Sequence, residues 1–129
     1  MKEAYCSYEV SKLLKKKRFD EPCMSFWEYE LYEYSLYIAG YPIKNSELEK
    51  ELVDGCSAPT HQMAMAWLRE VHNIFIEIST SIDLNGAHHF SYTILDKECK
   101  YVRRGYTSFD WNYEDAVEAA IKYCLEDLI

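Results

Sequence analysis

From residue 74 to residue 106 the chain alternates apolar and polar residues and breaks twice at turn-forming sequences, which is the pattern of an antiparallel β-meander. Ile74, Ile76 and Ile78 alternate with Phe75, Glu77 and Ser79, as a strand with one buried face requires. Asn85-Gly86 then marks a hairpin, because a type I′ turn needs positive φ at both central residues. The return strand is expected over His88–Leu95, with Phe90, Tyr92 and Ile94 on one side. Asp96-Lys97-Glu98 makes a second turn, and Cys99 to Tyr106 gives a third strand.

Helical signals flank this meander. Ser7 is a fair N-cap for a helix whose Val10, Leu13 and Leu14 share a stripe, which Phe19 covers and Pro22 ends. Ser57-Ala58-Pro59-Thr60 opens a second helix with its proline in the first turn, an apolar stripe of Met63, Trp67, Leu68 and Val71, and a left-handed stop at Asn73. A third helix is capped by Asn112, carries Glu114 and Asp115 in its first turn, and lines up Ala116, Val117, Ala120, Ile121, Cys124 and Leu128. Residues 24–38 fit either a strand or a helix on Trp27, Leu31, Tyr34 and Ile38. Their aromatic and β-branched content favours the strand, bent or folded into a hairpin near Glu30–Tyr32 and closed by a turn at Ala39-Gly40-Tyr41-Pro42. Residues 43–56 read as an exposed acidic connection holding at most one helical turn. The expected fold is α+β: one antiparallel sheet of four or five strands with three helices mainly on one face, in the order α-β(β)-α-β-β-β-α.

At 129 residues, without a repeat or a linker-like tract, the chain reads as a single domain over 1–129. The net charge of −8 is uneven, since residues 1–18 hold six Lys or Arg against two Glu. An acidic body repels phosphate, so nucleic acid is a poor partner unless a local patch binds it, and Lys15-Lys16-Lys17-Arg18 is the only basic run. Five cysteines without close pairs do not form a disulfide framework, and the polar start Met1-Lys2-Glu3-Ala4-Tyr5 opens no signal peptide. No stretch is apolar enough for a membrane span, so a cytoplasmic location is expected.

Four strings carry a resemblance: Val10-Ser11-Lys12-Leu13-Leu14, Ser57-Ala58-Pro59-Thr60, Trp67-Leu68-Arg69-Glu70-Val71-His72-Asn73, and Tyr113 to Ala120. They resemble a family of small uncharacterised proteins encoded in the genomes, phages and integrated elements of anaerobic gut bacteria. The resemblance covers nearly the whole chain, implies a mobile-element setting and carries no chemistry. Family members often end the first helix with glycine, where this chain has Arg18. Residues 58–129 are also similar in order to a double-stranded RNA-binding domain. That module needs lysines at the start of its last helix, where Glu114 and Asp115 stand here, so RNA binding does not follow from the likeness.

No reactive constellation is visible. His88 and His89 point to opposite faces of a strand, His61 and His72 lie three turns apart on one helix, and no zinc-type spacing occurs, so neither metal nor cofactor is expected. Cys56 is the one thiol that a helix N-terminus could activate, while Cys99 and Cys124 read as core or sheet-facing. The expectation is therefore a non-catalytic protein-interaction module whose 16% aromatic content forms a contact surface. That surface is placed on Trp27, Tyr29, Tyr32 and Tyr34, with the exposed pair Arg69 and Glu70 as a second contact. The partner is expected to be a protein, and a homodimer is compatible with such a surface. Three alternatives stay open: an acidic nucleic-acid mimic that inhibits a host protein, a nucleic-acid module using the Lys12–Arg18 helix, and a small enzyme whose site is assembled from distant residues.

Overall fold

A computed structural model describes residues 3–52, 54–105 and 112–129. Among the described residues the fold is α+β, with four helices and two three-stranded antiparallel sheets rather than the single sheet expected. The chain divides into two compact units, Met1–Ala64 and Met65–Ile129.

In the first unit, helix α1 (Tyr8–Lys16) starts at Ser7, whose Oγ accepts from the Val10 amide at 3.2 Å. Its stripe buries Val10 and Leu14. The helix stops in a Schellman closure: the Phe19 amide donates to Leu14 O at 2.9 Å and the Arg18 amide to Lys15 O at 3.0 Å. Arg18 itself is left-handed (φ 69).

Strands β1 (Cys23–Glu30) and β2 (Glu33–Ile43) form the hairpin expected near Glu30–Tyr32. Glu30 pairs with Glu33, leaving a two-residue turn in which Leu31 and Tyr32 both have positive φ (51 and 68). The turn expected at Ala39–Pro42 is instead an irregularity inside β2. Pairing runs regularly to Ser25↔Ile38, slips, and resumes at Cys23↔Ile43, so the strand continues past Gly40 and Pro42. Pro42 is tolerated there because β2 is an edge strand. The 43–56 connection is not simply exposed. Helix α2 (Asn45–Leu48) buries Asn45 and Leu48, and Cys56–Ser57 form a short strand, β3, on the other side of β1.

Buried Asn45 joins three pieces of chain. Its Nδ2 donates to Phe19 O at 2.8 Å, just past α1, and its Oδ1 accepts from the Ser57 amide of β3 at 2.8 Å. Next to it, Asp20 accepts from both the amide and the hydroxyl of Ser46, each at 2.8 Å.

Helix α3 (His61–His72) begins two residues after Pro59. Thr60 is the cap, its Oγ1 accepting from the Met63 amide at 3.2 Å, so the proline precedes the helix. The division between the units falls inside α3. Asn73 is left-handed (φ 56), as expected of a stop. The buried stripe is Ala64, Trp67 and Leu68; Met63 is half-buried and Val71 is exposed.

The second unit holds the meander: β4 (Phe75–Ile82), β5 (His88–Leu95) and β6 (Tyr101–Gly105), in that order. The expected strand end at Tyr106 lies outside the described residues. Tyr92 and Ile94 are buried on β5, and the Tyr92 ring lies where a side chain on its partner Gly105 would project. Any larger residue at 105 would displace the ring. Helix α4 (Tyr113–Tyr123) starts with a capping box between Asn112 and Asp115 and packs on β4 and β5. It closes in a π turn over Cys124–Leu128, which buries Leu125 and leaves Leu128 half-buried, where a regular α-helical stride favours Leu128. Each fully buried aliphatic side chain on this face contributes about 1.5–3 kcal/mol.

The two meander loops have the same construction. Asp83 Oδ1 accepts from the amides of Asn85 (2.8 Å) and Ala87 (3.0 Å), and Asp96 Oδ1 accepts from those of Glu98 (2.9 Å) and Lys100 (3.0 Å). Only the fourth loop residue is left-handed, Gly86 (φ 82) in one and Cys99 (φ 61) in the other. The first loop is thus an Asp-anchored turn rather than the type I′ turn that Asn85-Gly86 suggests, and Cys99 is an exposed turn residue rather than part of a strand. The paired loops give a controlled test. Cys99→Gly should stabilise the chain by about 0.5–1 kcal/mol, and Gly86→Ala, which meets no steric obstacle, should destabilise it by about 1 kcal/mol. Urea unfolding of both variants checks this. Asn45→Ala, by stranding a buried carbonyl and a buried amide, should lower stability by about 2–4 kcal/mol in the same assay.

Candidate functional site

Alternation along β1 places Trp27 and Tyr29 on one face of the hairpin, and antiparallel pairing sets Tyr29 opposite Tyr34. The Tyr29 and Tyr34 rings are 5.0 Å apart. Tyr34 stacks on Tyr8 of α1 at 3.6 Å and 17° between planes, and Tyr8 meets Trp27 edge-on at 6.4 Å. Trp27 is half-buried, its Nε1 donating to Cys6 O at 3.1 Å. Three residues of the expected contact surface, Trp27, Tyr29 and Tyr34, are therefore brought into one continuous aromatic row, joined by Tyr8. Nothing local in the sequence points to Tyr8, which falls in the first helical turn, off the Val10/Leu14 stripe.

Tyr32 stands apart at the hairpin tip, 93% exposed beside Leu31 at 87%, while Tyr29 is 47% exposed. On the opposite face Phe26 stacks with Tyr37 (5.7 Å), and the Tyr37 hydroxyl donates to the Glu30 carboxylate, which pushes the phenol's pKa up. Arg69 and Glu70 are exposed on α3, in the second unit.

Beside the aromatic row lies a cleft of about 340 Å³, lined by Lys12, Lys15 and Lys16 of α1, by Tyr8 and Tyr34, and by residues 54–56. The spacing i, i+3, i+4 puts the three lysines on one side of the helix. Lys15 Nζ donates to Gly55 O at 2.9 Å and lies 3.9 Å from Glu49. Burial and the hydrogen bond with Tyr34 push the Tyr8 phenol well above the usual tyrosine range, so it stays protonated and able to donate. The Lys12–Arg18 run is thus not a uniform basic strip: Lys12, Lys15 and Lys16 meet at this cleft, and Arg18 forms the helix stop.

Cys56 does not behave as an activated thiol. It sits in β3 rather than at a helix N-terminus, it is buried, and burial raises its pKa to about 11 despite Lys15 and Lys12 pulling it down. Burial likewise raises Cys23 to about 11 and Cys124 to about 12. These three thiols are protonated core residues.

Comparison of the chain with protein-family models, curated proteins and solved structures finds no match. Among the described residues no helix is long and apolar enough to cross a membrane.

The thiols supply a direct check. Against an excess of aromatic disulfide reagent at pH 8, Cys99 should react at once, while Cys6, Cys23, Cys56 and Cys124 should react only as the chain opens. The buried thiols also predict alkaline sensitivity. Unfolded cysteines ionise near 9.0 while these folded ones hold their protons to about 11, so stability should fall as pH rises from 9 toward 11. Urea midpoints across that range measure the slope, and Cys56→Ala should flatten it.

Proposed function

We propose that this protein is a non-catalytic interaction module whose contact surface is the tip and aromatic face of the β1–β2 hairpin. One observation carries the reading: Leu31 and Tyr32 are consecutive, bulky, almost wholly exposed, and both left-handed. Left-handed backbone costs an L-residue about 1–2 kcal/mol, and Asn-Gly at the same two positions removes that cost while taking two apolar side chains out of water. A sequence selected for folding alone has no reason to keep Leu-Tyr there. A rigid aromatic and an aliphatic side chain held at a protruding turn are what a partner's pocket receives. Arg18 and Cys99 are also left-handed, yet each is a single residue closing a helix or a loop, so neither signals contact.

The partner class that fits an apolar tip on an acidic chain is a protein. Asp20, Asp83, Asp96 and Asp115 are committed to turns and caps, which removes them from the acidic array that a nucleic-acid mimic requires. None of the five cysteines is in a disulfide, which agrees with action in the cytoplasm. The resemblance to small proteins of phages and integrated elements supports placing the module among their accessory products.

Leu31→Asn/Tyr32→Gly should raise stability by about 1–3 kcal/mol and abolish binding to whichever host protein the native chain retains on an affinity column. Tyr32→Ala alone should weaken that binding by at least roughly tenfold. Retention of the same protein, with the same affinity, by all three chains contradicts the reading.

A further inference from the structure

The lysine cleft has a chemistry that the hairpin contact does not use. Three ammonium groups reach it from one side of α1, in a chain whose net charge is −8, so this is a local reversal of the prevailing field. Lys15 is held in place by the Gly55 carbonyl. Lys12 and Lys16 have no ion pair among the described residues, and both line the cleft. Lysine offers a compact point charge with three donors, which suits a phosphate group carrying about −1.5 to −2 charge at pH 7.

The remaining lining is polar in a complementary way. Tyr8 and Tyr34 are locked by stacking and by the hydrogen bond between them, so the pair presents an ordered polar edge. Asp54, also in the lining, is adverse to a bare anion and favourable to a ligand that donates hydroxyl hydrogens. Lysines for a phosphate and a carboxylate for hydroxyls together select an organic phosphate rather than inorganic phosphate. At about 340 Å³ the cleft lies at the small end of ligand-site volumes, which excludes burial of a polymer.

We propose that the Lys12–Lys15–Lys16 cleft is a binding site for a small phosphorylated sugar or mononucleotide, with the lysines on the phosphate and Asp54 on ligand hydroxyls. This site shares Tyr34 with the aromatic face of the hairpin but not its tip, since neither Leu31 nor Tyr32 lines it.

Calorimetric and amide-NMR titration of the full chain with ribose 5-phosphate, adenosine monophosphate, ribose and inorganic phosphate tests it. One or both organic phosphates should bind saturably and perturb the amides of residues 8–16 and 54–56, and ribose or phosphate alone should bind at least roughly tenfold more weakly. Lys12→Ala/Lys16→Ala should lose at least roughly tenfold in affinity with an unchanged melting temperature. Asp54→Asn should narrow the preference over inorganic phosphate. Affinity of the native chain should fall with added salt, a readout independent of whether any variant folds. No saturable binding in the low-millimolar range, undiminished binding by the lysine variant, or binding confined to a single-stranded oligonucleotide each overturns the proposal.

Discussion

The buried side-chain amide of Asn45 is the constraint on which the first unit depends. It occupies a donor and an acceptor in opposite directions, Phe19 O on one side and the Ser57 amide on the other, each at 2.8 Å. The first fixes where the chain leaves α1. The second fixes β3, which in turn aligns Phe26 and Trp27 of β1 through the pairs Phe26↔Ser57 and Trp27↔Cys56. An amide with both ends satisfied in a dry site is stabilising, whereas either partner left alone costs about 1–3 kcal/mol, so this junction tolerates one geometry only. Everything displayed farther along the hairpin inherits its direction from that junction.

A chain can place strain where it is needed to close a fold or where it is needed for something else. Arg18 and Cys99 belong to the first kind: a Schellman stop and an Asp-anchored loop each demand one left-handed residue, and the surrounding hydrogen bonds hold it. Leu31 and Tyr32 belong to the second, because a two-residue hairpin can be built without strain by residues that bury nothing. The same comparison separates the two kinds of charge. Asp83, Asp96 and Asp115 serve local backbone geometry, and Lys12 and Lys16 of α1 line open volume instead. The proposed contact and ligand sites are thus the features that folding does not explain.

How much of this was legible in the sequence follows from the range of the interactions. The second unit was nearly all readable: period-two alternation, loop residues and a capped amphipathic helix are local signals, and β5 begins and ends at the expected residues. Where that reading slipped, the cause was again local, the αL residue at Cys99 and the π turn after Tyr123. In the first unit the hairpin was readable, and so were the aromatic residues of its surface. The division into two sheets was not, because it rests on β3, two residues long and defined only by long-range pairing. Asn45 read as part of an exposed connection since nothing near it in sequence shows that its partners lie 26 and 12 residues away. Tyr8 and the cleft were hidden for the same reason: the lysines were visible as a basic run, and what they face is set by tertiary structure.

The central claim is that a rigid frame, locked at Asn45, holds out a strained apolar tip. Native-state hydrogen exchange tests it most directly. The account predicts that the Ser57 amide exchanges only through global unfolding, at the rate of the slowest amides of the first unit, while the amides of Leu31 and Tyr32 exchange many orders of magnitude faster. A Ser57 amide that exchanges as fast as the turn would show that the junction does not hold the frame.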